Sequence, residues 1–189
     1  MEYRLEILTE ERSMAKFLRQ LLPNVLPPYY QLDKNCFIRP HEGKSELLKA
    51  IPKKLKAYQH DCNTRVLIIH DQDSNDCIHL KNKLIELCAP YKVPVVIRIA
   101  CRELENWYLG DLPALKKVYP KLKVESLMKK SKYRNPDLLK EKGSKEIIRL
   151  IPDFSKSYAA EKMPLYMDIN NNLSPSFRQF LIGLKKITV

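Results

Sequence analysis

Val66-Leu67-Ile68-Ile69-His70-Asp71-Gln72-Asp73 is the stretch on which the fold turns. Four consecutive aliphatic residues, bounded by Asn63-Thr64 before and Ser74-Asn75 after, read as a strand buried on both faces. That strand carries two carboxylates to its own end. In extended chain, residues i and i+2 point to the same side. Asp71 and Asp73 are therefore expected to converge where their repulsion calls for a cation, Mg²⁺ or Mn²⁺.

Working outward, Tyr3-Arg4-Leu5-Glu6-Ile7-Leu8 alternates and then turns apolar, which predicts a first strand ending at Thr9-Glu10. Met14, Phe17, Leu18, Leu21 and Leu22 follow at helical spacing, with Ser13 near the start and Pro23 as the stop. Cys36-Phe37-Ile38-Arg39 predicts a short strand ended by Pro40, and Leu47, Leu48, Ile51 and Leu55 a second helix. After the central strand, Ser74 or Asn75 stands where it would cap a helix bearing Ile78, Leu80, Leu84, Ile85, Leu87 and Cys88, with Asp76 complementing its dipole. Val93 to Ala100 predicts the fourth strand. Such alternation implies an α/β fold with a mostly parallel sheet flanked by helices on both faces. Ligands of such sheets bind beyond the carboxyl ends of the strands. Glu10, Asp71 with Asp73, and Glu103-Leu104-Glu105 all fall at that edge. On a helix Glu103 and Glu105 would lie about 200° apart, so one of the two is expected to face the cluster.

From Trp107 onward the character changes, and the chain divides into an α/β core, 1–111, and a basic, mainly helical extension packed on it, 112–189. Pro113 is placed to start a helix, Ile147, Ile148, Leu150 and Ile151 predict another closed by Pro152, and Ser176 to Lys186 a last one. Residues 121–142 are basic, interrupted by Pro136 and weakly periodic, as in an irregular surface excursion. The formal net charge is +12; residues 112–162 hold 14 Lys+Arg against 6 Asp+Glu, or +8 of it. A polyanion, DNA or RNA, is the natural partner, although solvated lysine-rich helices share this composition. Lys44, Lys129, Lys130, Lys132 and Arg134 are the candidate nucleic-acid contacts. Tyr133 among them either stacks on a base or is partly buried.

Several classes are excluded. No segment approaches roughly 18 apolar residues, and the N-terminus has no leader pattern, so a cytoplasmic protein without membrane contact is expected. Five widely spaced cysteines lack any C-x-x-C pair and read as reduced thiols. Gly43-Lys44-Ser45 resembles the tail of a phosphate-binding loop, but Ile38 stands where that motif needs its first glycine. A receiver-like phosphoacceptor fold would carry its acidic pair after strand one, whereas here the pair ends strand three.

Hard divalent cations prefer oxygen ligands, and Mg²⁺ keeps waters beside one or two carboxylates. Asp71 and Asp73 meet that need, with Glu10 completing the site or acting as general base. Adding Glu103 or Glu105 allows two metals, which stabilise both the attacking and the leaving oxygen in phosphodiester cleavage. An acidic metal pocket beside a basic flank points to a metal-dependent phosphodiesterase or nuclease.

At these residues the chain resembles the TOPRIM domain of topoisomerases, primases and the nucleases of the overcoming-lysogenization-defect (OLD) class. It is more closely similar to an uncharacterised TOPRIM-like family of small bacterial proteins. The similarity runs through Thr9-Glu10-Glu11-Arg12-Ser13-Met14, Glu42-Gly43-Lys44-Ser45, Asp71-Gln72-Asp73-Ser74-Asn75-Asp76-Cys77, Arg98-Ile99-Ala100, Glu103-Leu104-Glu105-Asn106-Trp107-Tyr108-Leu109-Gly110-Asp111 and Ser174-Pro175-Ser176-Phe177. The resemblance implies a TOPRIM-like, Rossmann-like fold, with Glu10 as the TOPRIM glutamate and Asp71 and Asp73 as the metal-binding aspartates. Glu11 stands where the wider superfamily has glycine, which weighs against primase-like nucleotidyl transfer. The resemblance also implies phage defence beside an ATPase partner; a homo-oligomer stays open. The alternative is a non-catalytic subunit that binds nucleic acid or regulates the ATPase.

Overall fold

The computed structural model describes residues 3–189, so residues 1 and 2 of the expected core segment lie outside the described residues. Strands β1 (Arg4–Thr9), β2 (Cys36–Pro40), β3 (Thr64–Asp71) and β4 (Val95–Ala100) form one sheet in the order β2-β1-β3-β4, with every neighbouring pair parallel. β3 is interior, and its run from Val66 to Ile69 is buried throughout. The pleat divides that run: Leu67 and Ile69 join Leu5 and Ile7 on one face, while Val66 and Ile68 join Leu8 on the other.

Helices α2 (Lys44–Tyr58) and α3 (Cys77–Cys88) cover the second face through Leu47, Ile51, Leu55, Leu80 and Leu84. The first face is covered by α1 (Arg12–Val25) and by the later helices α4 (Leu104–Leu109), α5 (Leu112–Val118), α6 (Val124–Met128), α7 (Gly143–Leu150), α8 (Lys156–Lys162) and α9 (Pro175–Thr188). Phe17, Trp107, Phe177 and Phe180 stack at its centre, with ring centroids 5.2–6.4 Å apart. This cluster draws residues from both sides of position 111. Among the described residues no helix is long and apolar enough to cross a membrane.

Local departures from expectation have local causes. Pro23 does not stop α1: it lies inside the last turn, where it has no N–H to give the Arg19 carbonyl, and the helix runs on to Val25. Asp76, not Ser74 or Asn75, caps α3: its carboxylate accepts the His79 N–H at 2.8 Å. Ile78 and Ile85 are exposed, leaving a narrower apolar stripe on α3. Residues 121–142 are built of α6 and two single 3-10 turns, Ser131–Tyr133 and Pro136–Leu138.

β1 also buries a charge. Glu6 is fully enclosed between Arg4, at 2.5 Å, and Arg39, at 2.9 Å. Burial alone would raise its pKa; the hydrogen bonds from Arg39 and Arg4 outweigh burial and hold it below the ordinary 4.5. A lowered pKa gives a contribution that is complete above pH 4.5 and is lost as pH falls through the folded value. Glu6→Gln is expected to lose about 1–3 kcal/mol at neutral pH, a modest figure because both arginines are partly exposed, and to flatten the acid limb of the stability curve. Urea unfolding followed from neutral to acid pH checks both.

Candidate active site at the carboxyl edge of the sheet

Because the strands are parallel, the chain leaves β1, β3 and β4 at one edge. Thr9 pairs with Ile69 in register, so the next residues, Glu10 and His70, are neighbours on one face. Glu10 Oε2 accepts the Asp71 N–H at 3.2 Å and lies 2.9 Å from His70 Nδ1. The Glu10 carbonyl accepts the N–H of Gly43 at 2.9 Å. Gly43, at φ 94°, adopts a backbone that favours glycine and leads directly into α2. Lys44, the first residue of α2, is exposed beside this junction.

Asp71, the last residue of β3, points to the opposite face from His70 and is 9% exposed. No hydrogen bond among the described residues reaches its carboxylate. Burial first, then the charges of Glu10 and Glu105 with smaller effects from Glu11 and Glu103, push its pKa well above the ordinary 3.8.

Both Glu103 and Glu105 face the cluster, where one was expected. Glu103 is the extended residue preceding α4 (φ −162°, ψ 174°), so helical angles do not separate the pair. Both are buried, and the Lys156 ammonium lies 3.6 Å from Glu103 Oε2 and 3.5 Å from Glu105 Oε1. The other Glu103 oxygen accepts the Ser144 N–H at the start of α7. Burial raises Glu105 to about 7 against the opposing pull of Lys156. Burial would lower the Lys156 pKa, but Glu105 and Glu103 outweigh it and the net shift is upward.

Asp73 does not follow the alternation that predicted its direction, because the strand has ended. Its φ of 54° is left-handed, and its carboxylate is held by Lys142 Nζ at 2.5 Å. Its N–H bonds the carbonyl of Arg102, itself left-handed at φ 60°, at 2.7 Å. An arginine rarely adopts that region. Here the Gln72 side chain holds it, accepting the Arg102 N–H at 3.0 Å.

The structure thus gathers Glu10, Asp71, Glu103 and Glu105 and turns Asp73 toward Lys142. Lys129, Lys130, Lys132 and Arg134 are exposed, and no ion pair among the described residues joins them to these acids. Lys132 is paired with Glu146 at 2.6 Å. The Tyr133 hydroxyl also donates to Glu146, and the ring is buried rather than offered to a base. The lysines that do reach the edge, Lys142 and Lys156, escaped the sequence reading because no local pattern says which part of a basic segment folds back. No sequence pattern gives His70 a role; its meeting with Glu10 follows from the register of β1 against β3.

Among the described residues no three His, Cys, Asp or Glu side chains form a ready-made metal-ligand set. Glu10 has Oε2 engaged by the Asp71 N–H and close to His70, and Lys156 stands between Glu103 and Glu105. The donor chemistry still suits a hard cation. Mg²⁺ needs one or two carboxylates, and Asp71 is a buried one without a donor.

A four-stranded parallel α/β sheet with acids at its carboxyl edge is the class of protein defined by these features. The fold is similar to the C-terminal region of the Burkholderia pseudomallei OLD protein, with a TM-score of 0.54 at 13% identity over 100% of both chains. The C-terminal region of the Xanthomonas campestris pv. campestris OLD protein is similar at a TM-score of 0.48 and 16% identity, over 98% of this chain and 92% of that one. No curated protein matches the sequence. The chain belongs to the family described as a domain of unknown function (DUF4276), which matches residues 9–185.

The crowded carboxylates make stability depend on pH. For Glu105, raised from 4.5 to about 7, the stabilising contribution is complete below pH 4.5 and is lost as pH rises through 7. At about 1.4 kcal/mol per pKa unit, the loss is on the order of 3 kcal/mol. With chelator present, Glu105→Gln is expected to melt higher than the parent at mildly alkaline pH and close to it in acid. An equal shift at both pH values would contradict this origin.

Proposed function

We propose that this protein is a divalent-cation-dependent phosphodiesterase or nuclease acting on nucleic acid, with its site at the carboxyl edge of the sheet. The observation that carries this reading is the buried Asp71 carboxylate, without a donor and crowded by Glu10, Glu105 and Glu103. Gathering like charges in this way costs stability, and a cationic ligand recovers it. Asp71 with Glu10, and Glu105 or Glu103 beside them, would hold Mg²⁺ or Mn²⁺. When bound, the cation neutralises the scissile phosphate and lowers the pKa of an attacking water.

The chain's own residues do the rest. With Glu103 and Glu105 engaged by a cation, the Lys156 ammonium, 3.6 and 3.5 Å from them, would be free to hold a phosphate oxygen. Lys142 keeps Asp73 and its left-handed turn in place. Lys44, Lys129, Lys130, Lys132 and Arg134 would attract the polyanion by charge, independent of sequence. The resemblance of Glu10, Asp71 and Asp73 to the TOPRIM positions, and of the chain to OLD-class nucleases, supports the same assignment. It also makes an ATPase partner and a role in phage defence part of the proposal.

One observation favours a second reading, a non-catalytic subunit: Lys156 already supplies a cation between Glu103 and Glu105. The two readings part in a cleavage assay with Mg²⁺ and Mn²⁺ on duplex DNA, single-stranded DNA and transfer RNA. Cleavage is expected that chelator and Asp71→Asn reduce to background. Lys156→Met is expected to retain Mn²⁺ binding and lower cleavage by about tenfold or more. Cleavage that survives Asp71→Asn removes the nuclease assignment, and a chain that neither cuts nor binds Mn²⁺ is the non-catalytic subunit.

A further inference from the structure

We infer that His70 is a positioning residue, whose Nδ1–H holds the Glu10 carboxylate by Oε2 so that Oε1 is left for the cation. This rests on the metal-dependent reading above and extends it to a residue with no ligand role of its own.

His70 closes a run of four aliphatic side chains and is 1% exposed, a place where another aliphatic residue would extend the core. Its Nδ1 lies 2.9 Å from Glu10 Oε2 and 2.6 Å from the Asp71 carbonyl oxygen. Both neighbours only accept, so Nδ1 carries a proton whether the ring is neutral or charged. Nε2 is buried without a partner. An unsatisfied buried nitrogen costs about 1–3 kcal/mol. The fold tolerates that cost while Nδ1 makes two contacts.

Those contacts have a geometric result. A glutamate has three rotatable bonds, and an unrestrained Glu10 would sample many carboxylate positions. The Asp71 N–H donates to Oε2 and His70 Nδ1 lies 2.9 Å from that same oxygen, its proton shared with the Asp71 carbonyl, while no hydrogen bond among the described residues engages Oε1. The same ring atom touches the Asp71 carbonyl, tying the backbone of one proposed ligand to the side chain of the other. Alternation places His70 on the face of Val66 and Ile68, opposite Asp71, so it acts through Glu10. Groups that orient a ligating side chain typically contribute 10–100-fold to metal affinity.

The test is a Mn²⁺ titration of the full chain, following free Mn²⁺ by electron paramagnetic resonance, with thermal melts confirming that each variant folds. His70→Phe is expected to weaken binding about 10–100-fold, while His70→Asn, whose amide N–H can occupy the place of Nδ1–H, stays within about threefold of the parent. His70→Leu serves if the phenylalanine variant does not fold. In the cleavage assay, the loss in His70→Phe should recover at saturating Mn²⁺. Equal Mn²⁺ affinity in the parent and His70→Phe overturns the role of His70 alone, as does an asparagine variant that folds yet binds as weakly as phenylalanine. A parent chain that binds no Mn²⁺ overturns the metal-dependent reading and this inference with it.

Discussion

Thr9 of β1 stands opposite Ile69 of β3, and this register decides which side chains meet beyond the strands. One residue further on, Glu10 and His70 come together on one face, while Asp71 turns to the other, toward Glu105. A slip of one residue would reverse both directions and exchange the aliphatic side chains between the two cores. What resists the slip is the core: Val66 and Ile68 packed under α2 and α3, Leu67 and Ile69 under the aromatic cluster. Hydrophobic alternation therefore assembles a group of carboxylates that would otherwise repel one another apart.

The counter-charge comes from the other end of the chain. Lys142 and Lys156 flank α7 and start α8, in the segment where the basic excess is concentrated. α7 reaches the edge because Gly143 lies against α4, its N–H on Asn106 Oδ1 at 3.1 Å. A Cβ there would sit 2.6 Å from that oxygen. The acids thus belong to the sheet and its first helical turn, and the cations to helices folded back over it.

Much of this was legible in the residues. The four strands announce themselves by alternation and aliphatic runs, and their parallel arrangement follows from the helices between them. Glu10 and Asp71 could then be assigned to one edge. At the site, two readings failed, and both carried a regular geometry past its end. Asp73 was projected along a strand that stops at Asp71, and Glu103 was counted into a helix that begins at Leu104. Lys142 and Lys156 were beyond reach, since their approach depends on how α7 packs on α4 and not on a local pattern. His70 was readable in principle, but only after the register of β1 against β3 is known.

Glu103 divides its two oxygens between two tasks, one accepting the Ser144 N–H in the first turn of α7 and the other facing Lys156. Glu146, on the same helix, holds Lys132 and Tyr133 of the basic segment. Whatever draws Glu103 away from Ser144 leaves an amide at the start of α7 without its acceptor. By thermodynamic reciprocity, anything that steadies that turn from the basic side alters the freedom of Glu103. The two surfaces of the protein, one acidic and enclosed, the other basic and open, are linked through a single helix of eight residues.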